Sequence, residues 1–109
     1  MFQIENNNLI RVIQGDTGAI EIHLDNYELK TGDQVFFTVK KNLSDPDSVL
    51  QKIITTFENG DGKILLSSTD TNLPCGEYVY DLQCNLADGR VDTVVGPSYF
   101  RVEGGVTDD

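Results

Sequence analysis

The sequence contains no tryptophan, one histidine, two cysteines, three prolines and only eight basic residues. Each shortage narrows what the chain can do. One His and two separated Cys leave too few nitrogen and sulfur ligands for a zinc site, and any His-dependent triad would have to run through His23. Cys75 and Cys84 form no CxxC pair. If the residues between them are extended at about 3.3 Å each, their sulfurs are too far apart to bridge, and both read as reduced structural thiols. Against the eight bases stand 18 acids, for a net charge of -10. No basic stripe exists to replace phosphate counterions, so nucleic acid is excluded as a partner and adhesion to anionic lipid is disfavoured. An acidic surface of this kind keeps a molecule soluble, and it equally suits a basic partner or cations.

Long apolar runs are missing too. No stretch approaches the roughly 20 residues of a membrane helix. Met1 to Asn8 show no basic segment followed by an apolar one, so no secretory signal is expected and synthesis in a cytoplasm is. The 109 residues, 39% of them hydrophobic, suit one domain with one core. Residues 1–103 are read as that domain, and 104–109, with two glycines and two terminal acids, as a flexible tail.

What is present is regular punctuation. Gly15–Asp16–Thr17–Gly18, Thr31–Gly32–Asp33, Asn59–Gly60–Asp61–Gly62, Pro74–Cys75–Gly76 and Asp88–Gly89 all suit tight turns. Between them lie segments of period two, the mark of half-buried strands. Ile20, Ile22 and Leu24 alternate with Glu21, His23 and Asp25; Val35, Phe37 and Val39 alternate with polar residues, Phe36 excepted. Tyr78, Tyr80, Leu82, Cys84 and Leu86 form the longest series, and Phe100 and Val102 the last. Asp88–Gly89 marks a hairpin, because such a turn needs positive φ at its centre. Asp45–Pro46 could open a helix, but the β-branched run Ile53–Ile54–Thr55–Thr56 favours a strand from about Val49 to Phe57. The sum is an all-β domain: an immunoglobulin-like β-sandwich of about seven antiparallel strands, since short connections imply antiparallel neighbours. Tyr78, following Gly76 and the Asp70–Thr71–Asn72 loop, is placed to form a tyrosine corner. Tyr80 stands where antibody domains carry the second disulfide cysteine, so packing rather than a disulfide is expected to hold the core.

Chemistry-bearing patterns are weak. No catalytic residue, cofactor motif or complete metal-ligand set is expected. Asn59, Asp61, Gly62 and Ile64 resemble the middle of a calcium loop, but Phe57 and Ser68 stand where its end carboxylates belong, and a hairpin turn explains Asn59 to Gly62 better. Asp16, Asp70, Asp88 and Asp92 could line one end of the domain. Gly15–Asp16–Thr17–Gly18 has no Lys and no helix after it, so it is no phosphate loop. Tyr27, Phe36 and Tyr99 are the candidate outward aromatics, suited to a protein partner or a sugar platform.

Ile13–Gln14–Gly15–Asp16–Thr17–Gly18, Gly32 through Lys41, Asp70–Thr71, Gly76 through Gln83 and Asp88–Gly89 together resemble a family. The stretch from Ile10 through Val106 is similar to short prophage-encoded proteins of Gram-positive bacteria and to the N-terminal domain of phage baseplate upper proteins. The resemblance implies a virion structural component of a baseplate, tail or fibre. Its implied partners are other virion proteins and copies of itself, in a homo-oligomer of the assembled state. A carbohydrate-binding or adhesion module on the same fold, with or without calcium, is the alternative.

Overall fold

The period-two segments become strands whose alternating residues point into one core. The computed structural model describes residues 2–4 and 7–105, so 106–109 of the expected tail lie outside the described residues. The strands are β1 (Phe2–Ile4), β2 (Ile10–Ile13), β3 (Gly18–Ile22), β4 (Gln34–Lys40), β5 (Leu50–Ile54), β6 (Gly62–Leu66), β7 (Gly76–Asn85) and β8 (Val91–Glu103). Among the described residues there is no helix; the Asp45–Pro46 segment is a loop.

A six-stranded sheet runs in the order β1-β2-β8-β7-β4-β5, and β3 and β6 form a two-stranded one. The larger sheet is mixed, and the smaller one is antiparallel. β2 lies parallel to β8, pairing Ile10 with Phe100 and Val12 with Val102. This corrects the expectation of antiparallel strands throughout. Short loops dictate antiparallel pairing only for neighbours in sequence, and β2 and β8 lie far apart along the chain. The strand expected from Val49 to Phe57 ends at Ile54, where β5 runs out of partner opposite Val35. The chain then makes a two-residue turn: Glu58 and Asp61 exchange both backbone hydrogen bonds at 3.0 Å, with Asn59 and Gly60 at φ 54° and 82°. Positive φ at both central residues is what an Asn-Gly hairpin turn supplies.

Both sheets feed one core. Ile20, Ile22, Ile64 and Leu66 come from the small sheet, and Val35, Phe37, Val39, Tyr78, Tyr80, Leu82, Cys84, Phe100 and Val102 from the large one. Phe37 sits at its centre, fully buried, with ring centroids 5.5 Å from Tyr80 and 6.0 Å from Phe100. Tilted aromatic pairs at such distances add about 1 kcal/mol beyond the area they bury. Both cysteines are free thiols, Cys84 in the core and Cys75 exposed.

Buried polar bonds lock the loops to this core. Tyr78 Oη donates to the Pro74 carbonyl at 2.5 Å, the bond of the tyrosine corner, and Tyr80 Oη donates to the Asn8 carbonyl at 2.5 Å. Thr71, fully buried, donates its hydroxyl to the Asp16 carbonyl at 2.6 Å. The Asp33 carboxylate, also fully buried, accepts from Tyr27 Oη at 2.8 Å, Lys30 N–H at 2.9 Å and Ala87 N–H at 2.8 Å. It ties the β3–β4 loop to the β7–β8 hairpin, where Leu86 N–H donates to Arg90 and Gly89 has φ 96°.

Candidate interaction surface

Cross-strand register decides which outward residues meet, because directly paired residues share a face. On the outer side of the large sheet the first row is Ile53–Phe36–Gln83–Thr93. The next is Gln51–Thr38–Asp81, the next Lys40–Val79–Tyr99, and the last Glu77–Arg101–Arg11. Phe36 and Tyr99 therefore lie on one face with a single polar row between them. Tyr99 is 53% exposed and Ile53 49% exposed, while Phe36 is half-buried beside Ile53. Two ion pairs brace the far end: Arg11–Glu103 at 3.1 Å and Arg101–Glu77 at 2.8 Å.

Tyr27 is not on this face. It lies in the β3–β4 loop, half-buried, with its hydroxyl donating to Asp33. Lys30 Nζ stands 4.5 Å from its ring centroid and the Arg90 guanidinium 5.4 Å. Its ring is thus enclosed between two cations and a buried carboxylate. The three aromatics do not form one platform.

The second feature is the exposed margin of β8. Among the described residues, the strand from Val91 to Val95 pairs with β7 on one side only, because β2 reaches it only from Phe100 onward. Leu86 N–H donating to Arg90 sets the phase of the ladder. Alternation then turns the backbone groups of Asp92 toward β7 and those of Val91 and Thr93 to the open side. Val91 is 57% exposed, and Val94 is exposed as well. The register slips between Tyr80 and Leu82 and again between Leu82 and Gln83, so β8 carries bulges near Val94 and near Gly96–Pro97. Bulges and a proline limit how far this edge can extend a ladder.

An open groove of about 1020 Å³ is lined by residues 23–30 and 59–61. His23 Nδ1 stands 2.7 Å from Asp61 Oδ1, and Nε2 3.7 Å from Asp25 Oδ1. The hydrogen bond and charge of Asp61, with a smaller contribution from Asp25, raise the His23 pKa. The hydroxyl that lines the groove, on Tyr27, donates to the buried Asp33 carboxylate. Among the described residues no three His, Cys, Asp or Glu side chains gather as a metal site. Of the acids read as candidates for one end of the domain, Asp70 bonds Lys52 Nζ and Ser67 N–H at 2.8 Å each, and Asp88 bonds Arg90.

Sequence reading located Phe36 and Tyr99, but not Ile53, Val91, Arg11 or Arg101 as their companions on the face. The signal for Ile53 was its place in a β-branched run of unknown phase. For the two arginines it was their alternation with Ile10, Val12, Phe100 and Val102.

No protein-family model, curated protein or solved structure matches the chain.

Proposed function

We propose that this chain is a non-enzymatic structural domain of a phage virion, an immunoglobulin-like β-sandwich that works by contact with other proteins. The sandwich reading is supported by two sheets that share one core and by the Tyr78–Pro74 bond. The virion reading is supported by the resemblance carried by Ile13 through Gly18, Gly32 through Lys41 and Gly76 through Gln83. Contact with another chain is supported chiefly by one observation, the margin of β8 from Val91 to Val95, which no strand among the described residues pairs on its outer side and which carries exposed valines. An extended segment of a neighbouring protein completes that margin. Such a component is made in the bacterial cytoplasm and is carried in the particle.

The test is quantitative mass spectrometry of purified particles together with a Thr93→Pro variant. The chain is expected in the particle at fixed stoichiometry. The variant, which lacks one outward N–H, is expected to fold and to be depleted from particles. Absence of the wild-type chain from particles would overturn the reading.

A further inference from the structure

The acidic excess of this chain is unevenly placed. Across β2, β8, β7, β4 and β5, the outward positions carry three bases, Arg11, Lys40 and Arg101, and three acids, Glu77, Asp81 and Glu103. The signs are interleaved, and four of these six side chains are already paired across strands. None of the chain's net charge of -10 comes from this face. The same face bears Phe36, Ile53, Val79, Tyr99 and Val91, mixed with arginine, the composition that enriches the centres of protein interfaces.

We propose that this outward face is a self-association surface whose occupant is a second copy of the chain. The proposal rests on the protein-contact reading above and gives that reading a surface and a partner. Charge selects the occupant. Two chains of -10 repel wherever their acidic loops approach, and a neutral, sign-alternating face is where that repulsion is least. A basic partner would be drawn instead to the acid-rich groove and loops around Asp25, Glu28, Asp45, Asp47 and Asp61. The area is sufficient. Five strands at about 4.8 Å spacing and seven residues at about 3.3 Å span roughly 550 Å², so about 1,100 Å² is covered in a pair. That is the low end for a specific interface. The two sheets stack face to face about 10 Å apart, with Tyr99 and Ile53 between them.

Sedimentation equilibrium over about 10–300 µM, at low and at high salt, tests this directly. The wild-type chain is expected to dimerise, more tightly at high salt, because screening weakens the overall repulsion. Tyr99→Asp and Ile53→Asp each place a charge on the face and are expected to weaken dimerisation at least tenfold. Leu65→Asp, at a 63%-exposed position on the small sheet, is the control and leaves dimerisation unchanged. Urea midpoints close to wild type establish that the variants fold. A monomer at every concentration and salt overturns the proposal, as does a dimer that survives Tyr99→Asp or is abolished by Leu65→Asp. A chain that is monomeric yet present in particles refutes this face and leaves the virion reading standing. A dimer of a chain absent from particles does the reverse.

Discussion

Asp33 is the residue whose removal should cost the fold most for the smallest change in volume. Its carboxylate is fully buried and accepts three hydrogen bonds, two of them from the backbone N–H groups of Lys30 and of Ala87, the latter 54 residues from Asp33 in sequence. Asp33→Ala deletes all three and leaves Lys30 N–H and Ala87 N–H facing a small void. At about 1 kcal/mol per bond, the loss is about 3 kcal/mol. With a urea slope of about 1.5 kcal/mol/M for a chain of this size, the midpoint falls by about 2 M. Asp33→Asn keeps one acceptor oxygen but turns an amide donor toward Lys30 N–H, so it should recover only part of the loss. The pH dependence follows from the same contacts. Burial pushes the Asp33 pKa up, but the bonds from Ala87, Lys30 and Tyr27 and the Lys30 charge outweigh it, leaving the pKa below its ordinary 3.8. A carboxylate with a depressed folded pKa stabilises fully above the unfolded value and loses that contribution as pH falls through the folded one. The stability gap between wild type and Asp33→Asn should therefore be constant at neutral pH and close below pH 3.8. Urea titrations at pH 7, 5 and 3 measure it. A loss under 0.5 kcal/mol for Asp33→Ala, or a gap that widens in acid, would refute the reasoning, since both contradict a net hydrogen-bond contribution near 3 kcal/mol.

Three further outcomes are expected. Phe37→Ala empties the centre of the aromatic cluster and should destabilise by about 3–5 kcal/mol, read as a urea midpoint or as failure to fold at 37 °C. Gly89→Ala and Gly60→Ala separate backbone strain from collision. Both glycines have positive φ, but a Cβ at Gly89 meets nothing within 4 Å, whereas one at Gly60 would lie 2.9 Å from the Cβ of Glu28. The first should lose about 1 kcal/mol and the second clearly more, in parallel thermal melts. In the native protein a thiol reagent should label Cys75 at once and Cys84 only as fast as the molecule opens. Cys84 is buried, and burial, then the charges of Asp92 and Asp33, raise its pKa. Equal labelling rates would contradict that placement.

Much of the architecture was legible because strands and turns are local. Alternation along Ile20–Leu24, Val35–Val39 and Tyr78–Leu86 identified inward residues that are indeed in or against the core, since a strand's side chains alternate whatever the strand pairs with. Asn59–Gly60 and Asp88–Gly89 announced their turns because few other residues accept positive φ. Phe36 was legible as an exception to its own alternation. The first half of β8 was not. Its two bulges break the period around Val94–Val95–Gly96–Pro97, so alternation does not join the strand that leaves the Asp88–Gly89 turn to the Phe100–Val102 segment.

By itself, then, the sequence determined the all-β class, the inward faces of the main strands, the positions of the turns and the acidic character of the molecule. All of these follow from backbone preference, side-chain alternation and composition. Only the tertiary structure decided that β2 runs parallel to β8 and that Asp33, read as an ordinary turn residue, is buried under three donors. It also separated Tyr27 from Phe36 and Tyr99, and assembled Arg11, Lys40, Glu77, Asp81, Arg101 and Glu103 into one neutral face. These depend on which distant segments pair and in what register, a choice made by long-range burial that no local pattern of residues records.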